Sequence, residues 1–348
     1  MKDLNVLLTA CNGLITPSQI DCIREVTERK ITIIGVDMSE VGPGTYMVDH
    51  FVKVPSADSE HYITHIESIC IAYEVDLIIA KSDEEAKELS RHKDRLKSKG
   101  VTIMTNEFLM HVMAADKGNF LQHLRNENLP CAKFRIPESL KQFKEHCKEL
   151  GYPDKSVVMK PRLGRGNRGM RIIQSSVAKG DLLLNHKPGS SLATLEDIVE
   201  ALSSPEINSF PEIVLMEYLP GKEYSVDVLL KDGEVLYAIP KVRVMPAPGL
   251  SIMGEVDMNE DVINAVKDIC KVYNFNHIIN IQFRYSDDNK LYPYEINTRV
   301  AASIAACNAA GVNLLYLGMK NALGEDIDTD LQVKDGTKMI RYYKELFK

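Results

Sequence analysis

The chain has 348 residues, of which 45% are hydrophobic and 26% are charged, a composition typical of a globular protein with two or three domains. Its net charge of -7 gives no general attraction to phosphate backbones or anionic lipids, so neither nucleic acid nor a membrane is a predicted partner. No apolar run approaches the ~18 residues of a membrane-spanning helix, and the first residues predict a strand rather than a signal peptide. The seven cysteines are scattered without a C-x-x-C pair, which predicts reduced thiols in the cytoplasm and argues against a zinc site.

Short apolar runs alternate with helical segments in the first part of the chain. Apolar side chains recur every three or four residues in 20–29 and 62–74, as in an amphipathic helix. Apolar runs that predict strands occur at residues 4–9, 31–36, 76–80 and 101–105. This alternation predicts a doubly wound parallel α/β sheet over residues 1–115.

A dinucleotide site in this first domain is an alternative interpretation. Asp37 ends the second predicted strand, where an acid that binds a ribose would lie. The G-x-G-x-x-G motif is absent, however, and only Gly13 lies in the first turn. The sheet is therefore predicted to support its neighbour rather than to bind a nicotinamide cofactor.

The pattern changes after residue 115. Residues 116–137 predict a helix followed by a proline-flanked link, and residues 138–151 predict a second helix. Three later segments are rich in alternating or β-branched residues and carry turn signals, namely 156–173, 212–244 and 277–299. The second part is therefore predicted to be α+β, with antiparallel hairpins.

A glycine-rich loop lies between two of these strands. Residues 160–171, KPRLGRGNRGMR, contain three glycines and four arginines. Glycines let backbone N–H groups approach an anion and arginine binds phosphate in a bidentate manner, so the loop is predicted to close over phosphates. It lacks the Walker A pattern. A basic hairpin tip in solvent is the alternative.

Oxygen ligands for a metal occur near the end of the second part. Glu295 and Asn297 are two residues apart on a predicted strand, so their side chains face the same side. Gln282, in the preceding apolar strand, adds a third oxygen if the two strands pair through the SDDN turn. Such ligands suit Mg²⁺, which also keeps waters and shares substrate phosphates. A polar strand face is the alternative.

The order of these segments resembles the ATP-grasp family, most closely its carbamoyl-phosphate-synthase-like branch. The first motif is Lys117, which directly follows an acid. Next come K-P with the glycine-rich hairpin, and then E-Y-L-P-G-K-E-Y-S-V-D, I-Q-F and Y-E-I-N-T-R. The resemblance covers about residues 1–325. It implies four parts: a pre-ATP-grasp α/β domain (1–115), an N-lobe with the glycine-rich phosphate lid (116–190), a C-lobe with the adenine and metal sites (191–330) and a C-terminal extension (331–348).

The resemblance also implies a role for each site residue. The phosphates of ATP would be held by Lys117, Lys160, Arg162, Gly164, Gly166 and Gly169. Adenine and ribose would contact Glu217, Tyr218, Leu219 and Glu223. Two Mg²⁺ ions, with Mn²⁺ as an alternative, would be bound by Gln282, Glu295 and Asn297. Arg299 would face the transferred phosphate, and Arg243 is a second candidate for phosphate or carboxylate.

The implied activity is that of an ATP-dependent ligase. It activates a small-molecule carboxylate as an acyl phosphate, passes it to an amine or similar nucleophile, and releases ADP and phosphate. A homodimer is left open. One alternative is a carboxylating or carboxylate-phosphorylating enzyme that acts on an acid such as bicarbonate, and another is a catalytically silent ATP-binding protein. The chain is too short for the duplicated halves of a carbamoyl phosphate synthase.

Departures from the family pattern leave the substrates open. The lid carries Arg165 and Arg168 where the family usually has small residues, so these arginines either touch an anionic substrate or face solvent. Gln282 is neutral where many members have a carboxylate, which predicts weaker binding of one metal ion. Residues 244–256, where members carry residues specific for the acceptor, match nothing that assigns a substrate.

Overall fold

A computed structural model gives the fold of residues 1–347 except 165, 167, 186–189 and 248–249, and describes only the backbone of 181–183, 246–247 and 250. The chain forms two compact units. Unit 1 consists of Met1–Ala114, Tyr224–Gln282 and Ile296–Lys348, and unit 2 consists of Ala115–Glu223 and Phe283–Glu295. The division into four parts remains a prediction.

A five-stranded parallel sheet forms the N-terminal part of unit 1, with the strand order β3-β2-β1-β4-β5. Helices connect the strands, as a doubly wound sheet requires. The elements are β1 (Leu4–Leu8), α1 (Thr16–Arg24), β2 (Ile31–Asp37), α2 (Pro43–Met47), β3 (His50–Lys53), α3 (Tyr62–Ala72), β4 (Leu77–Ile79), α4 (Asp83–Arg91), α5 (Lys93–Lys97), β5 (Thr102–Met104) and α6 (Phe108–Ala115).

Alternate side chains of the parallel strands enter two different cores. In β1, Val6 and Leu8 belong to the core that also contains Leu314 and Leu315, whereas Leu7 belongs to the core that contains Tyr62. Both faces of the sheet are therefore covered, which explains the continuous apolar runs that the sequence shows.

Unit 2 is built mainly on a second sheet, with the strand order β6-β10-β7-β8-β9. Three of its four strand pairs are antiparallel, and β8 pairs with β9 in parallel. The elements are α7 (Lys117–Asn126), β6 (Phe134–Arg135), α8 (Leu140–Glu149), β7 (Val157–Pro161), β8 (Arg171–Gln174), α9 (Lys179–Asn185), β9 (Leu192–Thr194), α10 (Leu195–Leu202) and β10 (Ile213–Glu217).

A third sheet has the strand order β15-β14-β11-β12-β13-β16, with antiparallel pairs between β11 and β12, β12 and β13, and β13 and β16. Its elements and the helices around them are β11 (Glu223–Lys231), β12 (Glu234–Ala247), β13 (Leu250–Val256), α11 (Glu260–Val272), β14 (His277–Tyr285), β15 (Leu291–Asn297), α12 (Ala305–Ala309), α13 (Leu314–Ala322) and β16 (Lys338–Ile340).

The predicted fold class is confirmed, because a parallel α/β sheet precedes two sheets with antiparallel pairs. All seven cysteines are free, as predicted. Among the helices of the described residues, none has both the length and the apolar character that crossing a membrane requires.

Candidate functional site

A cleft in unit 2 brings together the glycine-rich hairpin, two lysines and an acid. Lys117 and Lys160 contribute ammonium groups, and Glu295 contributes a carboxylate. The full lining is Lys117, Lys160, Pro161, Gly164, Gly166, Arg168, Met170 and Glu295. These side chains come from α7, β7, β15 and the loop after β7.

The base of the hairpin is fixed to the first turn of α7. The carboxylate of Asp116 caps this helix by accepting the N–H of Asn119 at 3.0 Å. The same carboxylate accepts two bonds from Arg162, from Nη2 at 2.6 Å and from Nε at 3.1 Å. Burial opposes the ionisation of Asp116, but the bonds from Arg162 and the Asn119 N–H outweigh it and lower the pKa of the carboxyl group.

Arg162, which we predicted to bind phosphate, is therefore bound to Asp116 in this structure. Its backbone carbonyl also accepts the N–H of Lys117 at 3.0 Å. The Lys117 ammonium in turn donates to the carbonyl of Gly164 at 2.7 Å. Arg162 thus holds the loop against α7, and a contact with phosphate remains a prediction.

The three glycines of the loop have positive φ angles, 135° at Gly164, 64° at Gly166 and 71° at Gly169. Residues other than glycine rarely adopt these positive φ angles. At Gly169 a Cβ atom would also lie 2.7 Å from Cγ of Pro161. The hairpin therefore needs glycine for its backbone conformation. Arg165, whose role we left open, lies outside the described residues.

Lys160 is held in a desolvated position. Its ammonium group lies 4.3 Å from the centre of the Tyr294 ring. Burial lowers the pKa of Lys160 to about 8. The carboxylates of Glu295 and Glu223 oppose this shift, and the positive charges of Lys117 and Arg284 add to it. A positive charge here would be stabilised by an added anion.

Glu223, the predicted ribose ligand, is buried and bonded to two side chains that the sequence analysis did not single out. The Tyr294 hydroxyl donates to Oε1 at 2.7 Å, and Nη2 of Arg284 donates to Oε2 at 2.9 Å. Tyr294 thereby connects Lys160 to Glu223. Its position beside Glu295 in Y-E-I-N-T-R was the available signal.

The predicted adenine segment begins at the last residue of β10 and is anchored by hydrogen bonds to backbone groups. Glu217 donates its N–H to the carbonyl of Lys133 at 2.9 Å and accepts the N–H of Lys133 on Oε1 at 2.7 Å. Tyr218 is half-buried and Leu219 is buried. After the turn, Gly221 donates to the carbonyl of Tyr285 at 2.9 Å, and a Cβ atom on it would lie 2.6 Å from Cβ of Tyr285.

The remaining predicted residues belong to unit 1. Gln282 in β14 and Arg243 in β12 are half-buried, and Asn297 is the buried last residue of β15. Strands β14 and β15 are neighbours, as the predicted hairpin through the SDDN turn requires. The three predicted metal ligands are divided between the units, since Glu295 belongs to unit 2 and the other two to unit 1.

Strand β15 ends at Asn297, so strand alternation does not determine on which side the side chain of Arg299 lies. Its Nη2 nevertheless donates to Oδ1 of Asn297 at 3.1 Å. The guanidinium also pairs with Asp83, with Nε at 3.2 Å from Oδ1. Arg299 therefore contacts one predicted metal ligand and one acid.

The dinucleotide alternative loses support in the structure. Both carboxylate oxygens of Asp37 bind backbone groups of neighbouring loops, the N–H of Asn12 and the N–H of Ser39, each at 2.9 Å. Asp37 is thus engaged in holding the ends of β1 and β2.

Two family models match the sequence. Residues 209–344 match a model described as ATP-grasp in the biosynthetic pathway with Ter operon, and residues 15–104 match the PylC-like N-terminal domain. The chain is 23% identical over 245 residues to the carbamoyl phosphate synthase large chain of Clostridium acetobutylicum, covering 67% of this chain and 21% of that protein. For the large chain of Corynebacterium glutamicum the identity is 27% over 252 residues, covering 69% and 20%. The chain thus spans about a fifth of the length of these relatives.

Solved structures share the fold. The biotin carboxylase domain of Hydrogenobacter thermophilus 2-oxoglutarate carboxylase, a dimer in complex with MgADP, ADP and bicarbonate, matches with a TM-score of 0.70 at 17% identity, covering 94% of this chain and 71% of that one. N5-carboxyaminoimidazole synthetase from Staphylococcus aureus matches with a TM-score of 0.67 at 15% identity, covering 95% and 80%. The chain is thus similar to ATP-grasp proteins over residues 209–344 and to carbamoyl phosphate synthase large chains over about two thirds of its length.

Proposed function

We propose that this protein is an ATP-dependent ligase that joins a small-molecule carboxylate to an amine through an acyl phosphate. The observation that carries the proposal is the meeting of Lys117, Lys160 and Glu295 at the glycine-rich hairpin. Two ammonium groups and a loop of backbone N–H groups suit a polyphosphate, and an adjacent carboxylate suits the cation that accompanies it. The ATP-grasp fold supports the same conclusion.

The proposed reaction has two steps. A carboxylate oxygen of the substrate forms a bond to the γ-phosphorus of ATP while the bond from that phosphorus to the β,γ-bridging oxygen breaks, and ADP leaves. The amine nitrogen then attacks the acyl carbon and loses a proton, and the C–O bond breaks to release phosphate. No nucleophile from the protein is needed.

The side chains present fit ATP and Mg²⁺. Lys160 lies where burial makes its charge costly, so a bound phosphate would restore that charge. Gln282, Glu295 and Asn297 offer only oxygen ligands, the type that Mg²⁺ and Mn²⁺ prefer. When bound, the metal would neutralise charge on the phosphates. We propose that Glu217, Tyr218, Leu219 and Glu223 bind the nucleoside, and that Arg243 and Arg299 face the reacting groups.

A substrate panel tests this proposal. ADP release is measured with ATP, Mg²⁺ and pairs of small carboxylates and amines, and each acid and each amine is also tested alone. Release that needs both partners supports the ligase, and a carboxylate labelled with ¹⁸O must then pass one label to phosphate. Release with bicarbonate alone would favour a carboxylating enzyme. Bound ATP without release from any pair would favour a silent nucleotide-binding protein.

Lys160 is expected to take up a proton when a nucleotide binds. With its pKa near 8, the lysine is mostly neutral in the free protein at pH 9, and phosphate favours the charged form. Affinity for ADP without metal should therefore fall as the pH rises above 8, by about tenfold per pH unit at most. Calorimetry at pH 8.5 in two buffers of different ionisation enthalpy measures the uptake, since phosphate, with a second pKa of about 6, is already ionised there.

Lys160→Arg is the matched variant, because a guanidinium stays charged at this pH. Its binding enthalpy should be the same in both buffers. Identical enthalpies for the wild-type protein would show that Lys160 does not contact the phosphates.

Gly169→Ala is expected to weaken both the hairpin and nucleotide binding. The left-handed conformation costs about 1 to 2 kcal/mol for a residue with a Cβ atom, and the new methyl would press on Pro161. We expect a lower Tm and a raised KM for ATP. Gly180→Ala is the control, because a Cβ atom there meets nothing within 4 Å and Gly180 lies in α9. Equal behaviour of the two variants would contradict the need for glycine at 169.

We also propose that the chain forms a homodimer, as the biotin carboxylase domain of H. thermophilus does. Light scattering of the purified protein tests this. A monomer at the concentrations used for activity would reject it. Cytoplasmic location remains a prediction from the cysteine pattern.

A further inference from the structure

The segment after β15 has no regular secondary structure, and side chains of unit 1 hold it in place. Residues 298–304 lie between β15 and α12. Three helices of the N-terminal part of unit 1 each send one side chain to this segment. Gln19 of α1 donates to the carbonyl of Ala301 at 3.1 Å, Asp83 of α4 pairs with Arg299, and His111 of α6 bonds to Thr298.

Both residues of the contact between His111 and Thr298 are buried. Nδ1 of His111 lies 2.6 Å from the hydroxyl oxygen of Thr298, and Nε2 lies 2.8 Å from the hydroxyl oxygen of Thr105. His111, Thr298 and Thr105 are 3%, 4% and 2% exposed. The imidazole therefore joins the end of β5 to the residue between Asn297 and Arg299.

We propose that His111 is a positioning residue for the ligation reaction, which holds Asn297 and Arg299 in place through its hydrogen bond to Thr298. This inference rests on the proposed function of those two residues. His111 itself touches neither substrate nor metal. Its effect is to fix the backbone at Thr298. This residue lies between Asn297, a predicted metal ligand, and Arg299, a predicted phosphate ligand.

The chemistry of a neutral imidazole fits this task. A neutral ring has one N–H donor and one nitrogen acceptor, and each of the two threonine hydroxyls can serve in either sense, so both bonds form with either tautomer. Burial lowers the pKa of His111 to about 4, although Asp83 and Glu107 oppose this shift. The ring stays neutral near pH 7, and its bonds do not change there.

The size of the expected effect follows from geometry. A misplacement of about 1 Å in a residue that orients a reacting group can cost about 10²-fold in rate. The segment has no strand or helix bonds of its own beyond Asn297, so its side-chain hydrogen bonds and the packing of Val300 and Ile304 in the core hold its position. Loss of one buried bond among several anchors should have a smaller effect, about tenfold.

Two replacements of His111 separate positioning from mere stability. The polar atoms of asparagine lie near the position of Nδ1, and those of glutamine near the position of Nε2. His111→Asn can therefore keep the bond to Thr298, whereas His111→Gln can keep only the bond to Thr105. We expect kcat to fall about tenfold in the glutamine variant and less than about threefold in the asparagine variant. Thr298→Val should behave like the glutamine variant.

His277→Asn is the matched control. His277 is another histidine of unit 1 whose pKa burial lowers to about 4, and it has a φ angle of 58° that asparagine tolerates. The charged groups that act on its pKa are Lys93, Glu107 and Asp232, none of which lies in the 297–301 segment. We expect a changed Tm with kcat unchanged within about twofold.

Amide hydrogen exchange gives a readout that does not depend on activity. Exchange at residues 298–301 should become faster in His111→Gln and Thr298→Val but not in His277→Asn. Unchanged exchange in these two variants, or a kcat loss that is equal in the asparagine and glutamine variants, would overturn the positioning role. Absence of ADP release by the wild-type protein with every substrate pair would instead reject the ligase, and the exchange data would still report on the segment.

Discussion

Glu295→Gln is expected to lower the rate of ligation strongly and to leave the fold intact. Glu295 is half-buried and lines the cleft with Lys117 and Lys160, and it belongs to none of the apolar cores. Glutamine has the same size, so packing is kept while the charge that would bind a metal is removed. We expect kcat to fall by about 10²-fold to 10³-fold, as for loss of a charge that stabilises the transition state. The free energy of unfolding should change by no more than about 0.5 kcal/mol.

Two further measurements make this test specific. The concentration of Mg²⁺ needed for half-maximal ADP release should rise in Glu295→Gln. The pKa of Lys160 should fall below its present value of about 8, because the Glu295 carboxylate raises it. Glu149→Gln is the control, since Glu149 is an exposed acid of unit 2 that pairs with Arg135. Wild-type turnover in folded Glu295→Gln would remove Glu295 from the metal site.

The fold was largely predictable because the parallel strands are buried on both faces. Continuous apolar runs mark β1 and β2, and the helical periodicity of residues 62–74 marks α3. The short strand β3 was not predicted, since its four residues are exposed or half-buried at the edge of the sheet and carry no apolar run. Helix α4 was also missed, because most of its residues are charged and only one side of the helix is buried.

The site was predictable where its residues form local motifs and not where they depend on distant contacts. Lys117, Lys160 and Glu295 were identified from the order of their motifs, and the structure places all three at one cleft. The pairing of Arg162 with Asp116 joins residues 46 positions apart, and that of His111 with Thr298 joins residues 187 apart. No local pattern encodes such contacts, because they arise only when separate elements pack together.

Arg299→Lys is expected to lower kcat much more than it weakens ATP binding. A guanidinium can bridge two oxygens of a transferring phosphoryl group, which the single ammonium of lysine cannot reproduce. The contact of Arg299 with Asn297 places the guanidinium beside a predicted metal ligand, as this role requires. We expect a loss of about 10²-fold in kcat, with a change of less than about fivefold in the Kd of ATP.

The ion pair between Arg299 and Asp83 provides the competing explanation, in which Arg299 serves only to stabilise the fold. The side chains of Arg299 and Asp83 are 19% and 31% exposed, so their pairing alone contributes about 1 kcal/mol or less to stability. Asp83→Asn removes the partner charge and leaves the guanidinium in place. If Arg299 serves only the ion pair, both variants lower Tm slightly and keep kcat. If it faces the phosphoryl group, Arg299→Lys loses far more activity than Asp83→Asn, because only the former changes the group that touches the transferred oxygens.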